Sequence, residues 1–130
     1  MRFDGKRYWL VGASEGLGRA LSYKLSAAGA ELILSARAED RLQSLADDLP
    51  GKTLVLPLDL ADEASVAQAG AALGHVDGLV FLAGVYWPMS ARDWDGASAL
   101  AMADINFVGA FRVLNQVMPQ FLQREVGHIV

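Results

Sequence analysis

The chain has 130 residues, which is the length of a single domain. Its net charge is −4 and 20% of its residues are charged, so the composition excludes a disordered chain and a basic surface for nucleic acid. No cysteine is present, which excludes disulfides, thiolate catalysis and thiolate metal sites.

Apolar residues are unusually frequent. Counted with Gly and without Tyr, they make up roughly 61% of the chain, against about 45–50% in an average soluble domain. This surplus predicts burial against a subunit partner, a further part of the same fold, or both. No stretch of about 18 uninterrupted apolar residues occurs, and the N-terminus lacks the apolar segment of a secretion signal. We therefore expect a cytoplasmic protein without a membrane partner.

Short apolar runs alternate with segments of helical spacing along the chain. The predicted strands cover residues 8–11, 31–36, 53–58 and 77–83, and the predicted helices between them cover 16–28, 41–49 and 62–73. An irregular loop is expected over 85–96, followed by a long helix over 97–124. A fifth strand starts at 127 and is cut off at 130.

This order of elements predicts the fold class. Strands joined by helices lie parallel, and right-handed crossovers place helices on both faces of the sheet. We expect one dinucleotide-binding domain over 1–130, an α/β doubly wound parallel sheet of the Rossmann-like class. It would be truncated within the fifth strand and therefore incomplete at the C-terminus.

The long predicted helix is apolar on more than one stripe, whereas a helix that lies on one sheet needs a single apolar stripe. We therefore expect a homo-dimer or homo-tetramer that buries residues 97–124 between chains. Pro119 is a candidate position for a kink. The large apolar residues on the different faces of this helix include Phe107, Phe111, Leu114, Met118 and Phe121.

Three glycines follow the first predicted strand in the run V-G-A-S-E-G-L-G, at Gly12, Gly16 and Gly18. Glycine at these places permits a sharp turn, close approach of the backbone to a pyrophosphate, and tight contact between helix and strand. The pyrophosphate would lie over the free N–H groups that begin the next helix. A glycine-rich turn without a ligand is the alternative. No Lys-Ser/Thr pair follows, which excludes a P-loop.

The end of the second predicted strand indicates the cofactor. NAD-binding folds usually place an acidic residue there, about 20 residues after the glycines, and this chain has Arg37 instead. A guanidinium pairs well with a 2′-phosphate and Ser14 could add a donor, whereas Glu15 would oppose a phosphate if it pointed inward. We therefore prefer NADP, with NAD possible. Arg37 could also be a solvated loop residue, and Glu39 and Asp40 could reach a ribose or start the next helix.

Four motifs together resemble the short-chain dehydrogenase/reductase family over the whole chain. They are the G-x-x-x-G-x-G spacing after the first strand, Asp59-Leu60 after the third, L-A-G at 82–84 after the fourth, and Asn106 in the run D-I-N-F-V-G. The resemblance implies an NAD(P)-dependent oxidoreductase. Hydride would pass between the nicotinamide and a small-molecule carbonyl or alcohol substrate.

The resemblance also implies residue roles. Asp59 and Leu60 would contact the adenine ring, although Asp59 could instead cap the following helix. Ala83 and Gly84 would pass close to the ribose and nicotinamide. Asn106 would position a water in the catalytic proton relay, or be a tolerated polar residue in a helix. The candidate cofactor-binding residues are in total Gly12, Ser14, Glu15, Gly16, Leu17, Gly18, Arg37, Asp59, Leu60, Ala83 and Gly84, and Asn106 is the catalytic candidate.

No metal site is expected, because His75 and His128 have no partner ligands at metal spacing. Trp87 and Trp94 could line a substrate entrance, or they could be loop aromatics that cover the edge of the core.

Two departures from the family pattern matter. Leu82 stands where family members usually have asparagine, and the catalytic serine and Tyr-x-x-x-Lys pair are absent from the 130 residues, since no Lys occurs after Lys52. We therefore expect a fragment that binds a dinucleotide at best and does not catalyse turnover alone. The alternatives are a non-catalytic dinucleotide-binding or sensing module, and a methyltransferase, which would want an acidic residue in place of Arg37.

Overall fold

A computed structural model describes residues 3–130. The strands are β1 (Arg7–Val11), β2 (Glu31–Ser35), β3 (Thr53–Val55), β4 (Gly78–Phe81) and β5 (His128–Ile129). The helices are α1 (Gly16–Ala27), α2 (Glu39–Asp48), α3 (Glu63–Ala71), α4 (Gly96–Ala103) and α5 (Gly109–Arg124). A π-helical turn at Asp104–Val108 joins α4 and α5, so that one continuous helix runs from Gly96 to Arg124.

The five strands form one parallel sheet in the order β3-β2-β1-β4-β5. The central strand β1 pairs on one side with β2 and on the other with β4, and Trp9 lies beside Ile33 and Leu79 in the register. Because the strand order reverses between β1 and β4, ligands are expected at the carboxyl ends of these strands. The predicted doubly wound, Rossmann-like fold class is confirmed.

Two apolar cores cover the two faces of the sheet. Alternate residues of β1 point to opposite faces: Trp9 and Val11 enter the core beneath α3 and α5, and Tyr8 and Leu10 enter the core beneath α1 and α2. The buried Trp9 indole donates to Ser35 Oγ at 2.8 Å, so its polar atom is satisfied inside the sheet. The long runs of apolar residues in the sequence follow from burial of the strands on both faces.

The boundaries of the third strand differ from the prediction. Residues 53–58 were predicted as a strand, and β3 ends at Val55. The chain nevertheless stays beside β2, because the N–H of Leu56 donates to Leu34 O at 2.9 Å and that of Leu58 donates to Ala36 O at 3.0 Å. Pro57 has no N–H and cannot continue a regular ladder. The predicted extended path along β2 is therefore correct, but the chain continues beyond Val55 without the pairing of a regular strand.

The long helix buries one stripe and exposes another. Val113, Val117 and Phe121 are buried against the sheet, whereas Phe107 and Phe111 are exposed and contact each other edge to face at 5.1 Å between ring centroids. Phe121 therefore belongs to the core. Leu114 and Met118 are partly buried and pack against the same core. The helix continues through Pro119, and its irregular turn lies upstream at Asp104–Val108.

By length and composition alone, the helix Gly96–Arg124 is also long and apolar enough to cross a membrane. Length and composition are weak evidence, since core helices of soluble proteins meet the same criterion. Here one stripe of the helix, at Val113, Val117 and Phe121, is buried in the protein core.

A polar cluster lies at the amino ends of β1 and β4. Asp77 accepts from the Arg7 backbone N–H at 2.8 Å, contacts His75 Nε2 at 2.9 Å and pairs with Arg124 at 3.6 Å. Arg124 also donates to Val76 O. Burial acts to raise the pKa of Asp77, but the hydrogen bonds from Arg7 and His75 and the positive charges of His75 and Lys6 together lower it. Because Arg124 is the last residue of α5, this cluster holds the end of that helix against the start of β4.

Candidate functional site

A cavity of about 260 Å³ opens at the carboxyl ends of β1, β2, β3 and β4. This is the edge of a parallel sheet at which ligands of this fold class bind. Each of the four strands contributes through the loop that follows it, and the long helix contributes Ile105. The residues that line the cavity are Val11, Gly12, Ser14, Glu15, Ala36, Arg37, Ala38, Arg41, Leu58, Asp59, Leu60, Leu82, Ala83, Gly84, Val85 and Ile105.

The loop after β1 requires glycine at two positions for different reasons. Gly12 has a φ of 98°, and a Cβ on it would lie 2.5 Å from the backbone nitrogen of Ala83. A Cβ on Gly18 would collide with the carbonyl oxygen of Gly12. The loop therefore packs closely against the segment after β4 and against the first turn of α1. This backbone path is the one that a close-lying pyrophosphate would need.

The cationic side of the cavity holds two arginines. Arg37 lines the cavity, and within residues 3–130 it forms no hydrogen bond or ion pair. Arg41, which the sequence analysis did not single out, also lines the cavity and pairs with Glu15 through Nη1 and Oε2 at 3.3 Å. Glu15 thus lines the cavity and pairs with Arg41. Because both partners are exposed, the pair is weakly held.

Arg41 could have been found from the sequence. It lies in the first turn of α2, and the start of a helix that follows a parallel strand lies at the same edge of the sheet as the end of that strand, where Arg37 is. Of the alternatives considered for the acidic residues here, Glu39 and Asp40 lie in the first turn of α2. Neither lines the cavity.

The loop after β3 is held by its own polar groups. Asp59 Oδ1 accepts from the N–H of Ala61 at 3.0 Å, and the Asp59 N–H donates to Ser65 Oγ at 2.9 Å. The cap of α3 is Asp62, whose Oδ1 accepts from the N–H groups of Ala64 and Ser65 at 3.0 and 3.3 Å. Asp59 is therefore not the helix cap, and both Asp59 and Leu60 line the cavity.

Asn106 lies in the π-helical turn and does not line the cavity itself, but it binds Val85, which does. Its side-chain amide satisfies both backbone groups of Val85: Oδ1 accepts from the N–H at 2.7 Å, and Nδ2 donates to the carbonyl at 2.7 Å. A Cβ on Gly84 would lie 3.2 Å from Asn106 Oδ1, so the neighbouring backbone is also close. Asn106 thereby fixes the loop after β4.

The structure brings most of the predicted cofactor-binding residues to one cavity, with three exceptions. Gly16 and Leu17 lie at the start of α1 outside the lining, and Leu17 is 71% exposed. Gly18 is buried beneath the loop. Trp87 and Trp94 are exposed in the loop before α4 and do not line the cavity. Within residues 3–130, no three His, Asp or Glu side chains form a group that could hold a metal ion.

Comparison with known proteins gives the family. The family model described as short chain dehydrogenase matches residues 6–130. An uncharacterized oxidoreductase of Staphylococcus haemolyticus is 32% identical over 98% of this chain and 57% of its own length. The 3-oxoacyl-[acyl-carrier-protein] reductase of Escherichia coli is 31% identical over 100% of this chain and 55% of its own length.

Solved structures show the same likeness. A short chain dehydrogenase/reductase family protein superposes with a TM-score of 0.94 at 28% identity, over 99% of this chain and 55% of that one. A metagenomic short-chain oxidoreductase in complex with NADP has a TM-score of 0.90 at 27% identity, over 98% of this chain and 61% of that one. The chain spans about half the length of the curated relatives it matches. It belongs to the short-chain dehydrogenase/reductase family of oxidoreductases.

Proposed function

We propose that residues 1–130 are the dinucleotide-binding part of an NADP-dependent oxidoreductase that acts on a small-molecule carbonyl or alcohol. One observation carries the proposal: the glycine loop after β1 lines the same cavity at the carboxyl edge of the sheet as Arg37, which has no ion-pair partner within residues 3–130. When bound, the cofactor supplies hydride transfer to or from the substrate carbon. The NADP complex of the metagenomic relative supports a nicotinamide dinucleotide here.

The fit of the dinucleotide depends on the backbone of the glycine loop. A side chain at position 12 would collide with the backbone at Ala83, so the loop can follow this path only if position 12 is glycine. We assign the pyrophosphate to the loop of Gly12, Gly16 and Gly18 and to the start of α1, where Leu17 lies. A side chain at Gly12 or Gly18 would force this backbone to shift, whereas Gly16 has open space for a Cβ and is favoured there by its φ of 58°.

The remaining candidates divide between the two ends of the cavity. Arg37 and Ser14 would hold the 2′-phosphate, and Asp59 and Leu60 would contact the adenine. Ala83 and Gly84 would lie beside the ribose and nicotinamide. By resemblance to the family, Asn106 belongs to the proton relay, and its two bonds to Val85 suit it to fix the loop next to that end.

The proposal extends to activity, assembly and location. The 130 residues contain no Tyr-x-x-x-Lys pair, so we expect that they do not catalyse the reaction alone. In a protein of the relatives' full length, the general acid/base would lie outside the part that matches these residues. The exposed Phe107 and Phe111 favour a homo-dimer or homo-tetramer through the long helix. We assign the protein to the cytoplasm.

Calorimetric titration of the purified chain with NADPH and NADH tests the proposal. We expect saturable binding of NADPH that is tighter than that of NADH, with no oxidation of NADPH in the presence of simple ketones or aldehydes. A Gly12→Val variant should lose binding and serves as the negative control. Failure of the folded chain to bind either dinucleotide would refute the assignment.

A further inference from the structure

The π-helical turn is linked to two walls of the cavity, to one directly through Asn106 and to the other through Arg112 of α5, which pairs with Asp104. Asn106 binds the loop after β4, as described above. Asp104 accepts from Arg112 Nη2 at 2.9 Å, and Arg112 Nη1 donates to the carbonyl oxygen of Leu60 at 2.8 Å, in the loop after β3. Helix side chains point toward the N-terminus, which lets the long Arg112 side chain reach back across the turn.

A second contact brings the same helix against the same loop. Gly109 is buried, and a Cβ on it would lie 3.2 Å from Leu60 Cβ and 3.5 Å from Leu60 O. The Leu60 side chain is itself buried in the core beneath α5. The loop after β3 is therefore fixed at Leu60 on two sides: by packing against Gly109 and by the hydrogen bond from Arg112.

Arg112 differs from an ordinary surface arginine. Its side chain is 19% exposed, and its two terminal nitrogens have separate acceptors, one a carboxylate and one a backbone carbonyl. Charged hydrogen bonds of this kind are the stronger ones in proteins. Arg112 does not line the cavity, so any effect on a ligand must pass through its two partners, of which Leu60 lines the cavity and Asp104 does not.

We propose that Arg112 is a positioning residue that holds Leu60, and with it the wall of the cavity next to Asp59, in the conformation that accepts the adenine half of the dinucleotide. This inference rests on the proposed function, which places adenine at Asp59 and Leu60. Loss of Arg112 releases the Leu60 carbonyl directly, whereas Arg112 makes no hydrogen bond to the loops after β1 and β4 within residues 3–130. We therefore expect its effect on the adenine half of the ligand.

Two fragment ligands separate the halves: adenosine 2′,5′-bisphosphate for the adenine side and reduced nicotinamide mononucleotide for the other. For Arg112→Met, which keeps the bulk of the side chain, we expect affinity for the bisphosphate to fall roughly tenfold. Affinity for the mononucleotide should be unchanged. Arg112→Lys keeps a charged donor and should restore most of the lost affinity.

Arg124→Met is the matched control, because Arg124 lies on the same helix and also donates to a backbone carbonyl, that of Val76, at the opposite edge of the sheet. It should lower stability without changing either affinity. Asp104→Asn, which keeps Arg112 but removes its carboxylate partner, tests the same link if Arg112→Met does not fold. It should weaken bisphosphate binding in the same direction, to a smaller extent.

The outcomes separate the two proposals. If the wild-type chain binds neither NADPH nor the fragments, the proposed function fails, and this inference fails with it. If the wild-type chain binds the bisphosphate and the folded Arg112 and Asp104 variants bind it equally well, only the positioning role is overturned. Equal weakening of both fragments would also overturn it, because that result indicates a general structural role.

Discussion

The Tyr8 hydroxyl lies 2.8 Å from His128 Nδ1, so a side chain of β1 binds a side chain of β5 across the intervening strand β4. Gly78 makes this possible: it is the neighbour of both residues in the register, and a Cβ on it would collide with the Tyr8 ring. Burial, followed by the negative charge of Asp77, raises the pKa of Tyr8. A tyrosine hydroxyl is protonated at neutral pH in any case, and the raised pKa extends that state to more alkaline pH.

Arg37 should decide the preference between the two nicotinamide dinucleotides. Arg37→Ala is expected to weaken NADPH binding by about 1.5–3 kcal/mol, the range for a hydrogen bond to a charged group, and to leave NADH binding nearly unchanged. Calorimetric titration measures both. Arg92→Ala, in the exposed loop before α4, is the control and should change neither affinity.

Glu15 should act against NADPH through Arg41. Glu15→Gln frees Arg41 from its exposed partner and removes a negative charge from the cavity. We expect NADPH affinity to rise by about two- to fivefold, in keeping with the small energies of exposed ion pairs. The gain should shrink as salt concentration increases, because exposed charges are screened. A decrease in affinity would show that Glu15 itself contacts the ligand.

Asn106 should control the mobility of the loop after β4. Asn106→Ala removes the acceptor of the Val85 N–H, so we expect faster hydrogen exchange of that amide. Asn106→Asp keeps the acceptor but places a carboxylate oxygen against the Val85 carbonyl, and should show an intermediate rate. Nuclear magnetic resonance resolves the single amide. The Leu82 amide, which donates to Val11 O, is an internal control that should not change.

Asp77 should make folding sensitive to acid. Its pKa is lowered in the folded protein, so its contribution is present above the ordinary carboxyl pKa and is lost as the pH falls through the folded value. Asp77→Asn should reduce the free energy of unfolding at pH 7 by about 1–3 kcal/mol, and much less at pH 2–3. Urea unfolding at the two pH values measures this. The exposed Asp93→Asn is the control, and a pH-independent difference would contradict the prediction.

The exposed stripe of the long helix should carry the assembly. Phe111→Glu places a charge where we propose that a second chain packs, and burial of an unpaired charge is costly. We expect light scattering to show a smaller species than the wild type at micromolar concentration. Gln123→Glu adds the same charge on an exposed position of the same helix and should leave the mass unchanged. A monomeric wild-type chain would refute the assembly.

The sequence predicted the sheet and the loop after β1 because each depends on local signals. Apolar runs that end in glycine mark strands buried on both faces, and Gly12 and Gly18 are required by backbone contacts of their own segment or of the adjacent strand. Arg37 lines the cavity because it follows the end of β2, whereas its role toward a cofactor stays a prediction. The end of β3 was misjudged because Pro57 removes a donor although the path stays extended.

The features that could not be predicted depend on contacts between distant residues. The π-helical turn has no local signal, yet it determines that Asn106 reaches Val85 and that Arg112 reaches Leu60. Phe107 is exposed and Phe121 is buried because of the way in which the helix lies on the sheet. The apolar spacing alone could not tell which stripe faces inward, because both stripes are apolar.

Three of the four charged side chains at the cavity, Glu15, Arg37 and Arg41, are exposed and belong to neither core, whereas the fourth, Asp59, is half-buried. Replacement of the three exposed side chains leaves both apolar cores intact, so exchange of one charge for another should change the free energy of unfolding very little. The preference for NADP that we propose would then depend mainly on exposed side chains. We expect two or three surface substitutions to reverse it and to leave the apolar interior unchanged.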